Sequence, residues 1–409
     1  MRILFITHYF PPEGNAPANR VFEMTRRWAA AGHPVTVITG VPNVPNGVPY
    51  PGYRNRLYQV ETKDGVEVRR VWTFLAPNRG TIRRTLNYLS FMVSALLAGL
   101  FVPRPDVVIA TSPQFFCGWA GVWMARLRRR PFILEIRDLW PESIEAVGAM
   151  RRGLALRFVG WLEQRLYRAA RHMVTVGDGY RDRLVARGVP AGKITVIPNG
   201  FVPDAPPPEA DVTALRKQYG LEGRFVCAYI GTIGMACGLD VVLRAAARLK
   251  GEAKDEFRFL LVGDGAIRAD LERRRDAEGL AAVVFAGLQP RERILLFLAA
   301  SDACLVHLRK NDLFKTVLPS KMLEAMAAGK PVVLGVEGAA AELLKRSGAG
   351  ICIEPENETD LLKVLESWRG QQAERARMSE AGPDYIRRFH DPALLAAAYL
   401  NVLEGTVVR

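Results

Sequence analysis

The 409-residue chain exceeds the ~250 to 300 residues at which a single hydrophobic core stops growing, so two domains are expected. Its 49% apolar and 24% charged residues exclude a disordered, collagen-like or disulfide-framework chain. The net charge of +14 is uneven: residues 1–200 hold 28 Lys and Arg against 13 Asp and Glu, while residues 201–409 hold 28 against 29. An acidic partner is therefore expected for the first half, whether anionic headgroups, a phosphorylated substrate or nucleic acid.

Short apolar runs alternate with longer amphipathic stretches, the β-α-β pattern of parallel sheets covered by helices. The first run, Met1 to His8, is too short for a signal peptide and lacks a small-residue cleavage site, so it reads as a buried strand. Further strands are predicted at 35–39, 66–71, 107–110, 132–136, 173–176 and 194–197, with helices such as 19–31, 117–128 and 154–170 between them. After the first strand comes Phe10-Pro-Pro-Glu-Gly14-Asn15-Ala-Pro-Ala-Asn19-Arg20. It is either a rigid Pro turn or a loop whose Asn19 and Arg20 offer an amide and a cation to a phosphate or sugar hydroxyl. Residues 86–102 are 17 uncharged residues flanked by Arg79, Arg83, Arg84 and Arg104. That is the lower limit for a bilayer span; a buried or half-buried helix is favoured over one dipping into a leaflet, and both over a true span.

The Pro-rich, acidic stretch 201–212 reads as a linker and gives domains of 1–204 and 205–409, the final helix being free to pack back on the first. Strands then follow at 225–230, 259–262, 283–286, 303–306, 332–334 and 351–353. Each half opens with a strand, a Gly-bearing turn and a helix. The fold class is therefore α/β, two doubly wound Rossmann-like domains facing each other across a cleft, with ligands at the carboxyl ends of the strands.

Two segments of the second half carry chemistry. In Gly231-Thr232-Ile-Gly234-Met-Ala-Cys-Gly238-Leu-Asp240, glycines allow close backbone approach to a diphosphate and the helix near Leu239 offers its N–H groups. A tight turn without ligand is the alternative, and the spacing differs from that of dinucleotide enzymes. In Thr316-Val-Leu-Pro319-Ser320-Lys321-Met-Leu323-Glu324-Ala-Met-Ala-Ala-Gly329-Lys-Pro-Val332, a helix start and an ammonium group suit phosphate, and Glu324 suits the two hydroxyls of a ribose. Lys321 and Glu324 at i, i+3 are equally consistent with a surface ion pair. Five scattered cysteines suit a reducing cytosol, and isolated histidines without an Asp-x-Asp triplet give no metal site.

Taken with Ile197-Pro-Asn-Gly200, Val262-Gly-Asp-Gly265 and Phe285-Ala-Gly287, these segments resemble the retaining glycosyltransferases of family 4, which have the GT-B fold. Arg137-Asp138-Leu-Trp-Pro-Glu142-Ser143 is similar to the branch that builds bacterial surface polysaccharides on polyprenyl lipids, including transferases of N-acetylated amino sugars. The resemblance implies a UDP-sugar as donor substrate and no other cofactor, held by Gly14, Asn15, Gly231, Thr232, Gly234, Gly287, Leu288, Ser320, Lys321, Leu323 and Glu324. It implies acceptor contacts from Asn19, Arg20 and Arg137, and catalytic roles for Arg137, Asp138 and Lys321. Partners would be a lipid-linked glycan and an anionic membrane surface, not nucleic acid, with the enzyme peripheral on the cytoplasmic face. The family's first glutamate falls at Thr316, its basic turn residues at Thr232 and Cys237, and its His-Asp pair at Arg137-Asp138. A sugar-nucleotide epimerase of the same fold, and a catalytically silent assembly partner, are the competing readings.

Overall fold

The computed structural model describes residues 1–44, 46–76, 81–112, 114–139, 154–202, 205–252 and 254–407. They divide into two compact units, Met1–Gly200 with Pro392–Arg409, and Phe201–Asp391. The division lies four residues ahead of the expected boundary because Phe201 already belongs to the second unit. Its N–H donates to the His390 carbonyl at 2.9 Å and its ring packs on the second core.

The first unit is built on an eight-stranded sheet: β1 (Ile3–Ile6), β2 (Val35–Gly40), β3 (Tyr58–Lys63), β4 (Val66–Val71), β5 (Val107–Ser112), β6 (Phe132–Ile136), β7 (His172–Thr175) and β8 (Ile194–Val196). The order is β3-β4-β2-β1-β5-β6-β7-β8, parallel except for β3. Central strands β1 and β6 are buried along their whole length, which is why they read as unbroken apolar runs. Strand β3 was not anticipated. Its sequence YQVETK lies mostly exposed on the edge, and it pairs with β4 through an Asp64-Gly65 turn in which both residues have positive φ.

Helix Ala16–Ala30 starts on an Asn15 cap, whose side chain accepts from the Ala18 N–H at 2.9 Å, and buries Val21, Met24 and Trp28 against the sheet. The last helix, Pro392–Val407, covers the same face. Trp28 Nε1 donates to the Ala396 carbonyl at 2.9 Å, and the Trp28 and Tyr399 rings meet edge to face at 5.2 Å.

Helix Thr81–Gly99 is half-buried: Phe91, Ala95 and Ala98 point inward, while Ile82, Leu86, Val93 and Leu97, continued by Leu100 and Phe101, form an exposed apolar stripe. Among the described residues no helix is long and apolar enough to cross a membrane.

The second unit carries a fully parallel six-stranded sheet of β9 (Phe225–Ile230), β10 (Phe257–Val262), β11 (Val283–Gly287), β12 (Ala303–His307), β13 (Val332–Gly335) and β14 (Gly350–Cys352), ordered β11-β10-β9-β12-β13-β14. The order reverses between β9 and β12. Loops leaving those two strands part in opposite directions and open a crevice at their carboxyl ends.

Candidate functional site

The crevice of the second unit is where the chemistry-bearing segments meet. The turn after β9 begins at Gly231, and helix Ser320–Ala327 brings Lys321 to it: a Cβ built on Gly231 would lie 3.4 Å from Lys321 Cε and 3.5 Å from Nζ. Lys321 Nζ stands 4.1 Å from the centre of the Tyr229 ring and hydrogen-bonds the Tyr229 hydroxyl, which in turn donates to the Thr232 carbonyl at 2.7 Å. The ammonium is thereby aimed along the turn.

Glu324 lies one helical turn away, and the two share the lining of a small cavity with Ile230, Leu298 and Val306. They form no ion pair with each other, so the surface-pair reading of their i, i+3 spacing does not hold. Burial lowers the pKa of Lys321, opposed by Cys237 and Glu324. Burial likewise raises that of Glu324, opposed by Arg291 and Lys321. Both groups retain some contact with solvent, yet their charged ends are largely desolvated. Such a pair is poised for an anion and a hydroxyl donor.

The helix holding this pair has an open start. Pro319 occupies the cap position without a side-chain cap bond, no acidic residue lies in the first turn, and the Ser320 and Lys321 N–H groups have no backbone acceptor among the described residues. Helix Asp240–Gly251, expected to offer the same, also leaves its Leu239 and Asp240 N–H groups without a backbone acceptor among the described residues, but carries an acid in its first turn. The Val241 and Val242 N–H groups donate to Gly238 and Leu239 at 3.3 and 3.0 Å, and Asp240 in the first turn already supplies a negative charge. The Leu323 side chain is buried in the apolar core, which leaves only its backbone for a donor contact. Gly234 and Thr232 remain on the turn, with Thr232 exposed. On the β11 side, Gly287 packs under the Arg268 guanidinium and Leu288 is exposed beside it.

Two further residues shape the turn and had no signal in the sequence beyond being an isolated His and one Arg among many. His307, fully buried at the end of β12, has Nδ1 at 2.7 Å from the Cys237 carbonyl, while its Nε2 accepts from the Glu356 N–H at 2.8 Å. Those partners define the neutral Nδ1–H tautomer, and burial lowers the pKa to keep it neutral. Arg309 donates through Nε to the Met235 carbonyl at 2.7 Å and reaches Asp240 at 3.3 Å, bringing positive charge to the turn whose expected basic positions are Thr232 and Cys237. The glycines of Val262-Gly-Asp-Gly265 serve packing: a Cβ on Gly263 would fall 2.0 Å from the Gly231 carbonyl oxygen, and one on Gly265 2.3 Å from that of Ile233. Thr316 donates its hydroxyl to the Leu313 carbonyl at 2.7 Å.

In the first unit the expected acceptor residues are largely committed. Arg20 is 5% exposed and donates to the Ile197 and Pro198 carbonyls at 2.8 and 2.6 Å and to Asn199 Oδ1 at 3.3 Å, with its Nε 3.2 Å from Glu135. These bonds clamp the 197–199 loop to helix Ala16–Ala30 and tie Arg20 to the fold, although its Nε and the facing Glu135 oxygens are buried without a hydrogen-bond partner. Asn15 is likewise used as a helix cap, and Asn19 donates to the Gly14 carbonyl at 3.2 Å. Arg137 is less bound: Nη1 donates to the Pro17 carbonyl at 2.9 Å and Nε lies 3.9 Å from the buried Glu135 carboxylate. Burial lowers its pKa to about 10, which leaves it cationic. Asp138 accepts from the Leu139 N–H at 2.9 Å; Glu142 and Ser143 lie outside the described residues.

The loop after β1 also holds Glu13, which carries no role in the sequence reading, and His8, an isolated histidine that reads as structural more often than as a general base. Burial pushes the Glu13 carboxyl up to about 7, although it accepts from the Asn43 and Val44 N–H groups at 3.0 and 3.2 Å. Burial brings His8 down to about 4 in a cage of Tyr9, Tyr88 and Phe91, so this imidazole is neutral. No cluster of three or more His, Cys, Asp or Glu side chains suited to a metal occurs among the described residues.

Comparison with known proteins follows the same two-part division. A glycosyl transferase 4-like domain matches residues 15–200, and the domain described as glycosyl transferases group 1 matches residues 211–385. The colanic acid biosynthesis glycosyl transferase named WcaI from Escherichia coli K12 is 28% identical, over 99% of this chain and 100% of its own length. The alpha-D-kanosaminyltransferase of Streptomyces kanamyceticus is 26% identical over 54% of this chain and 56% of its own. Among solved structures, Anabaena HepE in complex with UDP-glucose superposes with a TM-score of 0.74 at 17% identity, covering 99% of this chain and 100% of that one, which establishes a shared GT-B fold.

Proposed function

Because the chain belongs to the family 4 glycosyltransferases, enzymes whose two halves are the 4-like and group 1 domains, we propose that it transfers a sugar from a UDP-sugar to a lipid-linked glycan during surface polysaccharide synthesis. The observation that carries this reading is the uncapped start of helix Ser320–Ala327 with the desolvated Lys321 and Glu324 beside the Gly231 turn. A diphosphate would accept from the Ser320 and Lys321 N–H groups and from the Lys321 ammonium, and the Glu324 carboxylate would accept from the ribose hydroxyls. Relatives support the choice of ligand and pathway: HepE was solved with UDP-glucose, and WcaI is named for colanic acid biosynthesis. An N-acetylated amino sugar is the proposed donor sugar, on the resemblance of 137–143; the kanosaminyltransferase is a relative named for transfer of an amino sugar.

Transfer proceeds with retention. The bond between the anomeric carbon and the diphosphate oxygen breaks as the acceptor hydroxyl attacks from the same face, and a diphosphate oxygen takes the acceptor proton. Lys321 and the open N–H groups stabilise the charge that develops on the leaving group, with no metal required. Arg137, cationic and incompletely paired, anchors the acceptor phosphate. The exposed stripe of Leu86, Val93, Leu97, Leu100 and Phe101, with Arg83, Arg84 and Arg104 at its ends, rests on the cytoplasmic face of the membrane; Arg79 lies outside the described residues.

The test is a panel of UDP-sugars incubated with polyprenyl-diphosphate-linked acceptor in EDTA, the product read by NMR for anomeric configuration. Transfer with retention from a UDP-N-acetylamino sugar is expected. Sugar-nucleotide epimerisation without transfer would instead support the competing epimerase.

A further inference from the structure

On the first unit, at the opposite end of the sheet from the strand carboxyl termini, an open cavity of about 410 Å³ is walled by Arg126, Arg129, Arg130 and Arg171, with Ala169 and Thr406 completing it. The sequence that builds it is Arg126-Leu-Arg-Arg-Arg130-Pro131, the end of helix Phe115–Arg128 and its run into β6. Arg129 takes the left-handed conformation (φ 54°, ψ 54°) and turns the chain sharply, so that Arg126 and Arg130 flank one hollow. Strand β7 pairs beside β6, and the Arg171 N–H donates to the Phe132 carbonyl at 2.7 Å, which sets the fourth guanidinium at the same edge.

None of these four arginines has an ion-pair partner among the described residues; Arg126, Arg129 and Arg171 are exposed and Arg130 is half-buried. Arg130 Nε is buried without a hydrogen-bond partner. Arg126 lies 5.4 Å from the Trp123 ring. Three helix carboxyl ends, at Arg128, Ala169 and Val407, border the hollow and offset part of its charge. At ~0.5 of an elementary charge each they supply about −1.5 against four full positive charges, which leaves a strong surplus. Solvent screens the repulsion among the exposed guanidinium groups, and what points to an anion is the convergence of four forked donor sets, matched to the oxygens of phosphate, around one hollow.

We propose that this cavity is a second anion site, distinct from the donor crevice, that binds a phosphate-bearing group. The group is either a free phosphate or the phosphodiester of an anionic headgroup. It goes beyond the proposed reaction and does not depend on it.

The test compares the full chain with a double variant, Arg126→Gln with Arg129→Gln, both exposed side chains whose loss leaves the core intact. Lys321→Ala serves as the control that removes phosphate contacts in the donor crevice. One arm measures thermal stabilisation by sodium phosphate against chloride at equal ionic strength; the other measures flotation with phosphatidylglycerol vesicles against phosphatidylcholine. UDP affinity reports that the double variant is folded. The expected result is a tenfold or greater loss of affinity in the double variant, in the phosphate arm for a free ion or the vesicle arm for a headgroup, with Lys321→Ala retaining it. Equal binding by wild type and double variant in both arms, or no binding by wild type in either, would overturn the proposal. Loss of vesicle binding in Arg83→Ala with Arg84→Ala but not in the double variant would assign the membrane contact to the apolar stripe and likewise overturn the headgroup form.

Discussion

The turn that follows β1 and the turn that follows β9 occupy the same topological place in two doubly wound units, yet they are finished differently. In the first, a proline-rich loop ends in a helix capped by Asn15, and the Arg20 that looked available donates to three loop groups and lies beside Glu135. In the second, glycines bring the backbone of Gly231–Ile233 against that of 263–265, and the nearby helix at Ser320 is left uncapped with a lysine beside it. The same topology offers a crevice twice; on the function proposed above, the second binds the anion because its helix start and lysine are not tied up by the fold as Arg20 is.

The largest effect that would break this contrast lies in the first unit. Removing Arg20 by Arg20→Ala leaves Glu135 buried beside Arg137 and Tyr399, and should cost ~3 to 5 kcal/mol in chemical denaturation. Unchanged stability with a raised acceptor KM would return Arg20 to the acceptor site. Next comes Glu13, whose folded pKa of about 7 stands above the usual value near 4.5. A raised carboxyl favours the folded state only while protonated, so its cost to stability grows as pH rises from about 4.5 to 7 and reaches about 3 kcal/mol above that. Glu13→Gln should therefore gain stability relative to wild type between pH 5 and 8; parallel melting curves across that range would contradict the assignment.

Smaller effects sharpen the second unit. Gly265→Ala places a methyl 2.3 Å from the Ile233 carbonyl oxygen and should destabilise by ~1 to 3 kcal/mol while weakening UDP binding, because the turn itself must shift. His307→Gln tests whether the turn is set from below: loss of UDP affinity with an unchanged melting temperature marks a positioning residue, whereas loss of stability alone marks a packing one. Finally, Asn15→Ala should cost ~1 kcal/mol and leave UDP affinity untouched.

Much of this was legible in the sequence because parallel strands buried on both faces announce themselves as apolar runs; β1, β6, β9 and β12 are examples. Strand β3 was not, since an exposed edge strand has no apolar run to show. The segment around Lys321 and Glu324 was visible because helix start, cation and carboxylate are adjacent in the chain. His307 and Arg309 were not, because their partners Cys237, Met235 and Glu356 are remote in sequence and only the reversal between β9 and β12 brings them together. Arg20 misled for the same reason: its loop partners lie 177 to 179 residues away.

The central claim, that open polar groups at Ser320, Lys321 and Glu324 bind the nucleotide, is tested most directly by titration calorimetry of UDP into wild type, Lys321→Ala and Glu324→Ala. Each lost charge-assisted contact should weaken binding by ~1.5 to 3 kcal/mol, a factor of about 10 to 150. Folded variants that bind UDP as tightly as wild type would contradict it.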